Sequence, residues 1–253
     1  MTSRKQHSLI SEEEWKIRED LAACYRLFVH FGWTDLIFTH LSARVPGTDN
    51  QYLINPYGLL FDEITASNLI KVDFDGNVIW GDFPYNRAGH SIHSAILKAR
   101  SDVNAVLHSH TRAGTAVSVM DEGLLPISQQ ASEVTGLLCY HDYDVARDND
   151  EECRRLGNDI ADKWLMIMRN HGLLSAGRTI GEAFYYLYEL ENACKIQVDV
   201  MGSGAKITLP NQSAINRIIA EGMPSREGPN STVLTSWQAL IRMLDRQGSN
   251  YKS

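Results

Sequence analysis

Apolar residues recur at Ile17, Leu21, Tyr25 and Phe28, spaced as one face of a helix. Ser11 and Glu14 just upstream have capping-box spacing, so the first helix is expected to run to about His30. The pattern then changes period. Short apolar and β-branched runs at 36–42, 51–54, 69–72 and 78–80 read as strands, with Asp75-Gly76-Asn77 as the tight turn between the last two. A helix from about His90 to Arg100 keeps Ile92 and Ile96 on one side. Ala105-Val106-Leu107 follows as a buried strand that His108 and His110 extend.

In the second half, 111–120 predicts a helix, and Cys153, Leu156 and Ile160 mark an amphipathic one opened by the acidic run 148–152. The bounded apolar run 164–168 suits a central strand. Thr179 and Glu182 form a second capping box, opening a long helix through Ile180, Phe184, Leu187 and Ile196. Its aromatic residues Phe184, Tyr185, Tyr186 and Tyr188 have the spacing of core or subunit packing. Two helices, near 213–223 and 233–244, close the chain, and 223–231 is the expected linker. The chain thus reads as one α/β domain over 1–205 with a helical extension over 206–253.

Composition narrows the function. The 253 residues hold 24 Lys+Arg against 31 Asp+Glu, a net charge of -7, which argues against nucleic acid or an anionic membrane as partner. No apolar run approaches the roughly 18 residues of a membrane span, so neither signal peptide nor anchor is expected. Cys24, Cys139, Cys153 and Cys194 lie far apart, which fits reduced thiols in a cytoplasm.

His108-Ser109-His110 carries the candidate chemistry. Residues at i and i+2 of a strand project to one side, so two imidazoles there can grip one cation. His171, in Asn170-His171-Gly172 after the 164–168 run, is the candidate third ligand, the glycine permitting an unusual turn. Three neutral imidazoles leave positions open on Zn2+, Mn2+ or Fe2+, as a catalytic site requires. The same spacing also suits two buried, hydrogen-bonded strand residues.

Three segments together, Asn104-Ala105-Val106-Leu107-His108-Ser109-His110-Thr111, the later Asn170-His171-Gly172 and Asn55-Pro56-Tyr57-Gly58, resemble the class II aldolase/adducin family. The likeness covers roughly residues 14–200. It implies a three-layer α/β/α fold around a mixed, largely antiparallel sheet, and a homotetramer acting on a small-molecule substrate. It also implies His108, His110 and His171 as ligands of a divalent metal, zinc first. The family's phosphate-binding Gly-Asn-x-Ser turn corresponds to Thr39-His40-Leu41-Ser42, its Thr-Gly pair to Tyr57-Gly58, and its serine pair to Arg87-Ala88. His40, Asn55, Gly58 and Arg87 are therefore the expected substrate contacts, with a phosphorylated sugar disfavoured and Arg87 suited to a carboxylate.

The family's catalytic glutamate falls on Gly89, and no Glu occurs between Glu63 and Glu122. His90 and Tyr57 are the expected replacements, with Glu133 a further candidate and His93 a group packed behind the metal strand. Gln129 and Gln130 stand where the family carries a tyrosine from a neighbouring subunit. The leading expectation is a metal-dependent lyase, cleaving by retro-aldol reaction or decarboxylation through an enolate. A non-catalytic adducin-like interaction module and an iron-dependent oxygenase on the same fold are the alternatives.

Overall fold

The computed structural model describes residues 10–147, 149–222 and 231–253. Helix α1 (Glu12–Phe31) starts where the Ser11 hydroxyl accepts the Glu14 N–H at 3.1 Å. It stops at Gly32, whose φ of 69° turns its own N–H back onto the last carbonyls. Strand β1 (His40–Arg44) begins later than the apolar run suggests, because Leu36 and Thr39 hold positive φ, 50° and 66°, and keep 36–39 out of the ladder. β2 (Gln51–Ile54), β3 (Ile70–Asp73) and β4 (Val78–Trp80) follow as read.

Helix α2 (Arg87–Ala99) starts earlier than expected: the Asn86 side chain accepts from the Ala88 and Gly89 N–H groups and caps it there. β5 (Ala105–Ser109) ends one residue before His110, which lies beyond the ladder. Next come α3 (Arg112–Ser118), α4 (Gln129–Thr135), β6 (Leu138–His141) and α5 (Asp150–Ile160). β7 (Leu165–Met168), β8 (Gly172–Gly177) and α6 (Ile180–Gly202) complete the sheet region. α7 (Gln212–Gly222) and α8 (Ser231–Arg246) follow; the expected linker, apart from Ser231, lies outside the described residues.

The strands form one eight-stranded sheet in the order β4-β3-β2-β1-β5-β8-β7-β6. Every pairing is antiparallel except β6 with β7, so the sheet is mixed and largely antiparallel. Helices cover both faces, α2 with α5 on one, and α1 with α3, α4 and α6 on the other. β5 at the centre is buried at every position, which explains why it reads as a continuous apolar run rather than an alternating one. Each of its Val106 and Leu107 side chains contributes about 1.5–3 kcal/mol by leaving water.

On the α1/α6 side, Trp33 stacks on Phe184 at 5.4 Å, and Trp237 of α8 packs against both Gly181 and Phe184. Phe184 is thus a core residue, as the spacing predicts. His141, at the end of β6, bridges Asp159 at 2.7 Å and Glu152 at 2.6 Å and braces that strand against α5. Among the described residues no helix is long and apolar enough to cross a membrane.

Candidate metal centre

The β5 strand carries His108 on the face that looks toward α2, and its ring is fully buried. His110 follows just past the strand end, and His171 sits in the turn joining β7 to β8. That turn closes because Asn170 takes the left-handed conformation, φ 57°, and the His171 N–H donates to the Met168 carbonyl at 3.1 Å. Gly172 serves a different purpose from the one expected of it: any Cβ there would collide with the Ser109 carbonyl across the ladder.

The three rings converge. His110 Nε2 lies 2.9 Å from His108 Nε2 and 2.9 Å from His171 Nε2, and one potential ligand atom from each residue falls within 4.8 Å of the others. The outer nitrogens are already engaged: His108 Nδ1–H donates to the Leu173 carbonyl at 2.9 Å, and His110 Nδ1–H to Asp35 Oδ2 at 3.0 Å. An imidazole that donates through Nδ1 in its neutral form aims a bare Nε2 lone pair inward. Lone pairs facing each other at that distance repel unless a cation lies among them, so the donor set fits a divalent metal. Burial first, then the neighbouring imidazoles, holds His108 well below the usual histidine range. The same causes, burial foremost, bring His171 down to about 4, which leaves it neutral and able to ligate at neutral pH.

His40 also belongs to this cluster. It pairs with His108 across the β1/β5 ladder, and the two rings stack at 5.1 Å. Its Nδ1 lies 2.8 Å from His93 Nε2, and His93 Nδ1 lies 2.6 Å from Ser42 Oγ. His93 is fully buried and bonded to these two residues of β1. Burial pushes both His40 and His93 well down.

The other expected site residues lie elsewhere. His90 points away, toward β2: its Nδ1 pairs with the Tyr52 hydroxyl and its ring packs on Tyr85. With Arg87 it lines a cavity of about 330 Å³ that also takes in Lys98 and Cys153. Partial burial lowers the pKa of His90. Asn55 is buried on the opposite face of the sheet, its Oδ1 2.9 Å from the Tyr25 hydroxyl, which suits bracing α1 rather than touching substrate. Tyr57 and Gly58 lie on the loop after β2, Tyr57 37% exposed and Gly58 at φ 103°. Glu133 accepts from Gln129 on α4.

Three contributors had no readable signal. Asp35 reaches His110 only because the left-handed residues after it fold its loop back. The Leu173 carbonyl depends on β8, and exposed Tyr143 meets His171 edge-on at 6.2 Å. Ser42 did carry a signal, for His40 and Ser42 share one strand face as His108 does with its i+2 neighbour.

The chain is 47% identical over 248 residues to a Pseudomonas aeruginosa protein provisionally named aldolase class 2, covering 96% of this chain and 94% of that one. It is 40% identical over 247 residues to alpha-adducin of Rattus norvegicus, covering 92% of this chain but 33% of the adducin. The solved L-fuculose 1-phosphate aldolase from Glaciozyma antarctica has a TM-score of 0.81 at 28% identity, covering 96% of this chain and 93% of that chain. Residues 19–198 match the family described as Class II Aldolase and Adducin N-terminal domain, and the chain belongs to that family.

Proposed function

We propose that the protein is a divalent-metal lyase that acts on a small carbonyl or hydroxy-acid substrate, by retro-aldol cleavage or decarboxylation through an enolate. The observation that carries this reading is the convergence of His108, His110 and His171, with two of the rings fixed from behind by Leu173 and Asp35. When bound, the ion, zinc first with Mn2+ or Fe2+ as alternatives, supplies Lewis-acid stabilisation of negative charge on a substrate oxygen. The remaining work falls to the chain. Burial keeps the His108 and His171 rings neutral, and the ladder between β1, β5 and β8 fixes the strands that carry the cluster. Likeness to a fuculose phosphate aldolase supports the lyase class, while the rewritten phosphate turn at Thr39-His40-Leu41-Ser42 favours a substrate without a sugar phosphate.

Elemental analysis of protein purified without added metal is the test. About one equivalent of a single divalent metal per chain is expected, lost in His108→Ala; metal-free wild type that takes up none on titration would end the lyase reading. We also infer a cytoplasmic homotetramer, against which a light-scattering mass near 28.4 kDa would count.

A second reading, an adducin-like interaction module, draws on Gly89 in place of the acid and on closer identity to alpha-adducin than to the fuculose phosphate aldolase. Fully metal-loaded protein inert toward hydroxy acids, keto acids and aldols would favour it.

A further inference from the structure

The space next to Gly89 is taken. A Cβ built there would lie 2.5 Å from His40 Cδ2 and 2.6 Å from its Cγ, so a side chain at 89 and this ring exclude each other. His40 therefore claims the space beside Gly89, and its hydrogen bonds define what it presents there.

His40 ends a buried chain of three groups: Ser42 Oγ to His93 Nδ1, then His93 Nε2 to His40 Nδ1. Ser42 is fully buried, and among the described residues His93 is its one hydrogen-bond partner. A buried hydroxyl that merely accepted there would leave its own proton without an acceptor, so Ser42 donates. With His93 Nδ1 accepting, the proton of that neutral ring sits on Nε2 and is donated to His40 Nδ1. With His40 Nδ1 accepting in turn, the His40 proton sits on Nε2. That Nε2 meets no hydrogen-bond partner among the described residues, and the ring lies alongside His108.

We propose that His40 presents a fixed Nε2–H donor beside the histidine cluster, held in that tautomer by Ser42 and His93, and that this donor selects a 2-hydroxy or 2-oxo carboxylate bound there. A protonated Nε2 has no lone pair to ligate a metal, so His40 is a substrate contact and not a fourth ligand. A neutral N–H beside the cluster places no negative charge against an anionic substrate and gives its oxygen a hydrogen bond. Ser42 and His93 are positioning residues that act through His40. The substrate class rests on the metal-lyase reading; the tautomer does not.

Ring nitrogen spectra of 15N-histidine-labelled, metal-free protein read the tautomer directly. Both His40 and His93 are expected as Nε2–H forms, with Ser42→Ala mixing the tautomers and Ser42→Thr restoring them. Oxalate, a chelating dicarboxylate, then serves as probe in calorimetric titration of zinc-loaded protein. His40→Ala should weaken oxalate about 10- to 100-fold at unchanged zinc content, and His40→Gln, which keeps an N–H donor, should recover most of that loss. An Nδ1–H form of either ring in the wild type, or oxalate binding by His40→Ala equal to wild type, overturns the proposal. Wild type that takes up no zinc would remove the substrate class together with the lyase reading, while the spectra would still decide the donor.

Discussion

At the scale of single residues, the histidine cluster depends on the groups behind its rings as much as on the rings. Asp35 is 44% exposed at its side chain yet fixes which nitrogen of His110 faces inward. Asp35→Asn should lower metal affinity about 10- to 100-fold with the fold intact, measured by competition with a chromogenic chelator. Unchanged affinity would reduce the contact to a surface ion pair. The buried imidazoles also make stability depend on pH in a definite direction. His40, His93, His108 and His171 all titrate below the ordinary value of 6.5 in the folded chain, His171 at about 4. Below pH 6.5 the unfolded chain therefore binds protons that the folded chain refuses, and folding stability falls as pH falls, His171's share levelling off near pH 4. Denaturant midpoints of metal-free protein should accordingly drop between pH 7 and pH 5; a flat profile there would mean these rings take up protons without unfolding.

Elements show why some of the site was legible in sequence and some was not. His108 and His110 announced themselves because a strand's two-residue period is local, and the run 164–168 announced β7 because its apolar side chains crowd together. β8, Gly-Leu-Leu-Ser-Ala-Gly, is buried on both faces, and its terminal glycines and central serine mimic a loop. β6 is short and half-buried along most of its length, so no alternation marks it. His40 is legible through its place in a resembling turn, but its stacking on His108 and its claim on the space at Gly89 depend on the β1/β5 register, which no window of sequence contains. His90 drew attention for the opposite reason: adjacency to Gly89 in sequence is a rotation of about 100° around a helix, which turns its ring toward β2. The packing of α2 on β1 can be tested at that contact. Gly89→Ala should cost about 1–3 kcal/mol by overpacking, and much less in a His40→Ala background, a non-additivity of about 1 kcal/mol or more by denaturant titration. Additive costs would mean the ring moves aside freely.

On the scale of the whole molecule, the three-layer sandwich brings His171 and Asp35 to the local His108/His110 pair only through pairings that are remote in sequence. His110 lies 61 residues from His171 and 75 from Asp35, and no helix or hairpin contains two of these partners. This separation sets when, during folding, the proposed ion would bind. No early fragment offers a coordination sphere, since the strands that bring the rings together are themselves the slow, non-local step of folding. A metal that binds these rings therefore arrives after the barrier has been crossed and acts on the way down. In stopped-flow experiments zinc should leave the refolding rate unchanged and slow unfolding in proportion to its occupancy, making the ion a latch on a finished fold and not a nucleus for an unfinished one.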